Sequence, residues 1–288
     1  MTQGRSPSPP LATGPIRVAL SRRHVLGLAA AFAATPAFAA EDRFALTGQA
    51  TQGGWLRGRV PPGTVSLHLD DLPVAFAPDG AFLIAFDRDA PPRAVLVAGG
   101  SDARQELAIA PRAWPVEHVD APMHPPGLPD AEFARRRAGE LAQIKAARAQ
   151  TSDSQGWRRT MVRPAQGPVS GRFGAQRVFR GVPAAYHAGM DIAAGAGSAI
   201  VAPADGVVVL AAVAELFTLE GHLLIIDHGM GLNSALLHAR RLGVEPGAVV
   251  RQGQVVGEVG MTGRATGPHL HWSLTWHGRR LDPLLFLV

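Results

Sequence analysis

The 288-residue sequence predicts a mainly β fold, and three observations carry that prediction. Glycine (33) and proline (24) are abundant while aromatic residues make up only 6%, a composition of many turns and short strands rather than of a helical bundle. Short apolar or alternating runs recur between clusters of Gly, Pro and Asp. The clearest is the stretch 267–277, where Leu270, Trp272, Leu274 and Trp276 alternate with His269, His271, Ser273, Thr275 and His277. That is the period of a strand with one buried and one open face.

Taken in order, residues 1–40 read as a signal peptide: Ser21, Arg22, Arg23 and His24 precede an apolar run from Leu26 to Phe38 and the small-residue site Ala37-Phe38-Ala39. The paired arginines point to the twin-arginine export route, although an ordinary secretory signal with an incidental pair fits the same residues. The run falls short of the about 20 residues that span a bilayer, so no stable membrane span is expected after cleavage at Ala39 or Ala40. The formal charge of +5 comes largely from this leader; beyond residue 40, 24 basic residues face 23 acidic ones. With a single lysine, Lys145, and no basic stripe interleaved with aromatics, nucleic acid is not an expected partner.

Residues 41–115 predict a small β-sandwich-like domain, with strands at 65–69, 81–86, 93–97 and 105–109, a Pro78-Asp79-Gly80 turn and a tight turn at Asp70-Asp71. His68 is isolated there. Residues 116–162 form a linker: a proline-rich stretch over 122–129, then a helix capped by Asp130 and running to about Gln150, with Phe133, Leu141 and Ile144 on one side. Such a helix can brace two domains or lie across a groove in the third. His118 and His124 read as surface residues.

The region 163–288 carries the chemistry. His269 and His271 share a strand face, roughly 6–7 Å apart, so one can hold a metal while the other reaches a water or substrate. The absence of cysteine leaves histidine and carboxylate as the available metal ligands. Upstream, His187 and Asp191 form an HxxxD pair, about 13 Å apart if extended. To meet at one metal the chain must bend, and Gly189 is expected to allow it through backbone angles closed to other residues. A surface histidine near an aspartate fits the same four-residue spacing. Strands follow at 201–210 and 221–229, and the strand at 233–238 is expected to place Ser234, Leu236 and His238 on one face.

His187-Ala-Gly-Met-Asp191, the 202–208 turn, Ile226-Asp-His-Gly229, Leu236-Leu-His238 and Gly263-Arg-Ala-Thr-Gly-Pro-His-Leu-His271 stand in the order and spacing of the M23 (lysostaphin/LytM-type) zinc metallopeptidases, which residues 165–288 resemble. The resemblance implies an antiparallel β-sheet peptidase domain with a groove, zinc held by His187, Asp191 and His271, and His238 and His269 as catalytic histidines. Zinc with three protein ligands keeps a position for water, and histidines can move the protons of amide hydrolysis. Leu236 departs from the family's usual tyrosine, so a groove phenol is expected to be replaced by an alkyl group. Tyr186 is as well suited to packing as to supplying a hydroxyl, and His222, His228 and His277 are not expected to bind metal. The implied function is a periplasmic zinc endopeptidase that cleaves peptide bonds of peptidoglycan stems or cross-links, with cell-wall synthesis or hydrolysis partners engaging the N-terminal domain. The rivals are a non-catalytic regulator of the same fold that activates an amidase, and a pure wall-binding module.

Overall fold

The computed structural model describes residues 43–120, 129–214 and 216–287. The Arg22-Arg23 leader and most of the proline-rich stretch, including His124, lie outside the described residues. Among them, no helix is long and apolar enough to cross a membrane.

The first part consists of β1 (Thr47–Gln49), β2 (Trp55–Arg59), β3 (Ser66–Leu69), β4 (Leu72–Pro73), β5 (Ala81–Ala85), β6 (Arg93–Gly99) and β7 (Ala103–Ala108). These build two antiparallel sheets, ordered β1-β2-β5 and β4-β3-β6-β7. Strand β6 shows the sequence logic, burying Ala94, Leu96 and Ala98 while Val95 and Val97 are only half-buried. The Asp70-Asp71 turn joins β3 to β4, and Asp70 takes a left-handed φ of 54° while its carboxylate accepts the Val95 amide at 2.8 Å.

The strand β8 (Val116–Val119) and the helix α1 (Asp130–Arg148) come next. Pro129, not Asp130, occupies the N-cap, and no side chain caps the helix; Asp130 and Glu132 instead place negative charge in the first turn, where the helix dipole favours it. The buried stripe of α1 is Glu140, Ile144 and Ala147, whereas Leu141 is 49% exposed, so the expected Phe133–Leu141–Ile144 side is rotated from the one that packs. The seven-residue step from 140 to 147 makes about two helical turns, which is why these positions align.

The rest is β9 (Val169–Gly171), β10 (Gln176–Phe179), β11 (Val182–Pro183), β12 (Met190–Ile192), β13 (Ala199–Val201), β14 (Gly206–Ala211), β15 (His222–Asp227), β16 (Leu232–Leu242), β17 (Val249–Val250), β18 (Val255–Val259), β19 (Leu270–Trp276) and β20 (Arg279–Leu281). A ten-stranded sheet of antiparallel pairs runs β17-β14-β15-β16-β19-β12-β9, with β18 on β16, β13 on β18 and β20 on β19. A smaller sheet pairs β10 with β11 and, in parallel, with β8.

Period-two alternation sorts the large sheet into two faces. Met190, Ile192, Leu224, Ile226, Leu236, Leu270, Trp272, Leu274 and Trp276 turn to one side and join the main core. The registers Leu237↔His271 and Ala235↔Ser273 place the other side chains on the second face. There Leu223, Ile225 and Ala235 pack under Ile144 and Ala147 of α1. The face expected to be open is therefore covered over most of its length: Ser273 and Thr275 are 6% and 4% exposed.

The main core is continuous from the first strands to the last residues. Trp55 stacks on Phe286 at 5.3 Å and donates its indole N–H to the Leu285 carbonyl at 2.8 Å. Arg112 pairs with the buried Asp282 at 2.8 Å, and Asp87 accepts the Arg280 amide at 2.8 Å.

Candidate active site

The site forms where β12 meets β19. Antiparallel register sets Asp191 directly opposite His271, and Asp191 Oδ1 lies 2.7 Å from His271 Nδ1. His187 sits before β12, and the intervening turn brings its Nε2 to 3.0 Å from Asp191 Oδ1 and 3.0 Å from His271 Nδ1. The three donor atoms lie within 4.8 Å of one another.

Gly189 makes this possible for a different reason from the one its sequence context suggests. It is not among the residues with positive φ. What matters is space: a Cβ there would stand 2.5 Å from the Trp272 carbonyl and 2.7 Å from His271 Nε2. Gly171 on β9 plays the matching part, since its Cβ would lie 2.5 Å from Asp191 Oδ2 and 2.9 Å from His187 Cε1. Sequence reasoning overlooked Gly171 because nothing in Val169-Ser-Gly171 distinguishes it from a turn glycine.

His238 reaches the site by a bulge. Strict alternation would send it to the core with Leu236, which is fully buried opposite Trp272. Between Leu236 and Ala239, however, β16 carries two residues against one on β15, and His238 takes φ of 65°. Its imidazole thereby turns to the second face, with ring centroids 4.8 Å from His269 and 6.3 Å from His271. The expectation that Leu236 shares a face with His238 and lines the groove is overturned: Leu236 is a core residue, and Leu237 lies on the site's face. A left-handed backbone at a non-glycine residue costs about 1 kcal/mol or more; Asp70 and His277 take it in tight turns, whereas His238 takes it within a strand.

Backbone carbonyls fix the tautomers. His187 Nδ1 donates to the Arg172 carbonyl at 2.9 Å, His238 Nδ1 to Thr262 at 2.8 Å, and His269 Nδ1 to Gly267 at 2.9 Å. A carbonyl can only accept, so in each neutral ring Nε2 carries the lone pair. His269 Nε2 is 3.9 Å from Asp191 Oδ1. Burial would raise the Asp191 carboxyl, but close contact with the His187 and His271 imidazoles holds it well below the usual carboxylate range. Burial, then repulsion from His271 and His269, pushes His238 down to about 3, and burial also lowers His271.

The residues fit a metal ion. With His187 Nδ1–H committed to a carbonyl, three electron-rich atoms converge with at most one proton among them, an arrangement that a cation relieves. Two imidazole nitrogens and one carboxylate oxygen are a zinc donor set, and zinc bonds of about 2.0–2.1 Å would need these atoms to open by only a few tenths of an ångström. Arg177, unremarked in the sequence, donates from Nη2 to Asp191 Oδ2 at 3.0 Å.

Three further described histidines lie away from this cluster. His228 is wholly buried between the Asp205 carbonyl (2.8 Å) and Ser234 Oγ (2.7 Å), and His222 donates to the Ala212 carbonyl at 2.8 Å. His277 sits in the β19–β20 turn at φ of 45°. Tyr186 packs edge-on to Phe173 at 6.1 Å with Arg88 above its ring, and burial pushes its phenol up to about 12.

Residues 185–283, which contain all five clustered side chains, match the model of peptidase family M23. Over these residues the chain has the M23 family-model domain. Over 100 residues the chain is 36% identical to the peptidoglycan DD-endopeptidase ShyA of Vibrio cholerae, a match covering 35% of this chain and 23% of that one. It is 36% identical over 98 residues to the DD-carboxypeptidase/endopeptidase Mpg of Neisseria meningitidis, covering 34% of this chain and 22% of the other. The chain thus spans less than a quarter of the length of these curated relatives. A crystal structure of a Pseudomonas aeruginosa protein assigned to peptidase M23 superposes with a TM-score of 0.64 at 25% identity, covering 83% of this chain and 95% of that one. That likeness takes in strands on both sides of α1 together with the M23 domain.

Proposed function

We propose that the protein is a zinc-dependent endopeptidase that hydrolyses peptide bonds of peptidoglycan stems or cross-links, working in the periplasm after twin-arginine export. The observation that carries the reading is the convergence of His187, Asp191 and His271 with two further imidazoles, His238 and His269, whose Nε2 atoms are free to accept protons. His187, Asp191 and His271 would hold the zinc. When bound, zinc supplies a Lewis acid that polarises the scissile carbonyl and makes a water acidic enough to react near neutral pH.

The remaining chemistry belongs to the chain. A neutral imidazole at His238 or His269 takes a proton from the attacking water and returns one to the leaving amine. The depressed His238 keeps its lone pair through the neutral and mildly acidic range, so it suits the first role. The Thr262 and Gly267 carbonyls hold the two rings so that Nε2, not Nδ1, does the work. The peptidoglycan substrate is supported by the M23 match and by the similarity to relatives named as peptidoglycan DD-endopeptidases.

A non-catalytic regulator has no use for a full donor set and two tautomer-locked histidines. Incubating purified sacculi with the protein separates the two readings. Soluble muropeptides should appear with wild type, vanish on chelation, return with zinc and fall sharply for His238→Ala. Equal release by wild type and His238→Ala would overturn the catalytic assignment.

A further inference from the structure

The two oxygens of Asp191 face different partners. Oδ1 points to His187 Nε2, His271 Nδ1 and, farther off, His269 Nε2. Oδ2 points away, to Arg177 Nη2 at 3.0 Å, and lies where a Cβ on Gly171 would crowd it at 2.5 Å. Arg177 is itself held from behind. It lies on β10 directly opposite Glu117 of the parallel strand β8, and its Nε is 3.6 Å from Glu117 Oε2. Both side chains of the Arg177–Asp191 pair are largely shielded from solvent, 23% and 14% exposed.

Resting on the metal-site reading above, we infer that Arg177 is a positioning residue that restricts Asp191 to one oxygen toward the metal and so keeps a coordination position open for water and substrate. A carboxylate next to zinc can bind through one oxygen or two; a guanidinium on the second oxygen removes that choice. Its planar fork satisfies a carboxylate oxygen directionally, which an ammonium on a flexible stem does less well. The strand β8, which precedes α1 and lies outside the M23 match, thereby acts on the metal site through Glu117.

Cobalt(II) is the probe, since its visible absorption is strong in four-coordinate sites and weak in higher-coordinate ones, so that intensity reports geometry. The full chain is loaded with cobalt as wild type, Arg177→Met and Arg177→Lys, with far-ultraviolet circular dichroism to verify folding. The expected result is a strong spectrum for wild type, a loss of intensity for Arg177→Met as Oδ2 joins the metal, and partial recovery for Arg177→Lys. If Arg177→Met does not fold, Glu117→Gln, which loosens the guanidinium from its far side, should show the same loss in smaller measure. An unchanged spectrum in the folded variants at full metal loading would overturn the inference alone. A wild-type chain that takes up no metal would sink the metal-site reading, and this inference with it.

Discussion

One face of the central sheet has two ends built from the same strands. At one end Asp191, Leu237 and His271 stand side by side across β12, β16 and β19, and His238 joins them through its bulge. At the other, Ile225, Ala235 and Leu223 lie beneath Ile144 and Ala147 of α1. The helix is held at its edge by a paired contact between Arg137 and Glu220 (2.7 Å for each bond) and by Glu140, which accepts the Thr218 amide at 2.6 Å. Pairing is antiparallel at both ends, and alternation is shared apart from the bulge at His238; what differs most is the covering. Apolar side chains under a helix become core, while imidazoles beyond its reach remain available for chemistry.

That contrast can be broken most severely at the polar end. Asp191→Ala should abolish both metal uptake and peptidoglycan hydrolysis while leaving the strand content seen by circular dichroism intact; a variant that still binds zinc with wild-type affinity would contradict the donor set. His238→Ala should keep the metal and lose about 10²–10⁴-fold in kcat, the usual worth of a positioned general acid or base. Metal analysis beside a kinetic assay tells these two losses apart.

The covered end should respond in stability instead. Ile144→Ala is expected to cost about 2 kcal/mol, read as a lower midpoint in urea, with zinc affinity unchanged. Coupling of the two readouts would mean that the helix supports the site as well as the core.

The metal-free protein also has a pH signature, which the polar end shares with His228 in the interior. Burial lowers His228, His238 and His271 in the fold, so below about pH 6.5 the unfolded chain takes up protons that the folded chain refuses. Stability should be greatest above that pH and decline as the solution is acidified, for His238 down to about 3. Urea titrations in chelator at pH 7.5 and 5.0 test the sign, and a higher midpoint at pH 5.0 would refute it. The smallest effect belongs to Leu141→Ala on the outward side of α1, within about 0.5 kcal/mol of wild type.

The β class was legible because glycine, proline and period-two alternation are local signals, and strands such as 93–99 carry them openly. The five clustered residues were legible through composite spacing, which survives without knowledge of the backbone. Three features were not. The helix presents Glu140 to the sheet because the Thr218 amide and Arg137 satisfy it there, a tertiary arrangement that hydrophobic patterning does not register. The bulge at His238 depends on a one-residue mismatch with β15, invisible in either strand alone. Arg177 on β10 meets Asp191 on β12 across two different sheets, and an isolated arginine has no sequence signature for that role.

The contact of Trp55 with Phe286 has a practical consequence for anyone wishing to use the M23-matched region on its own. Excising it at the start of the family match would leave the ring of Phe286 and the Leu285 carbonyl facing water, and would strand the carboxylate of Asp282 without its guanidinium. A shortened version should therefore clump or lose heat tolerance until that newly bared patch is repainted with polar side chains.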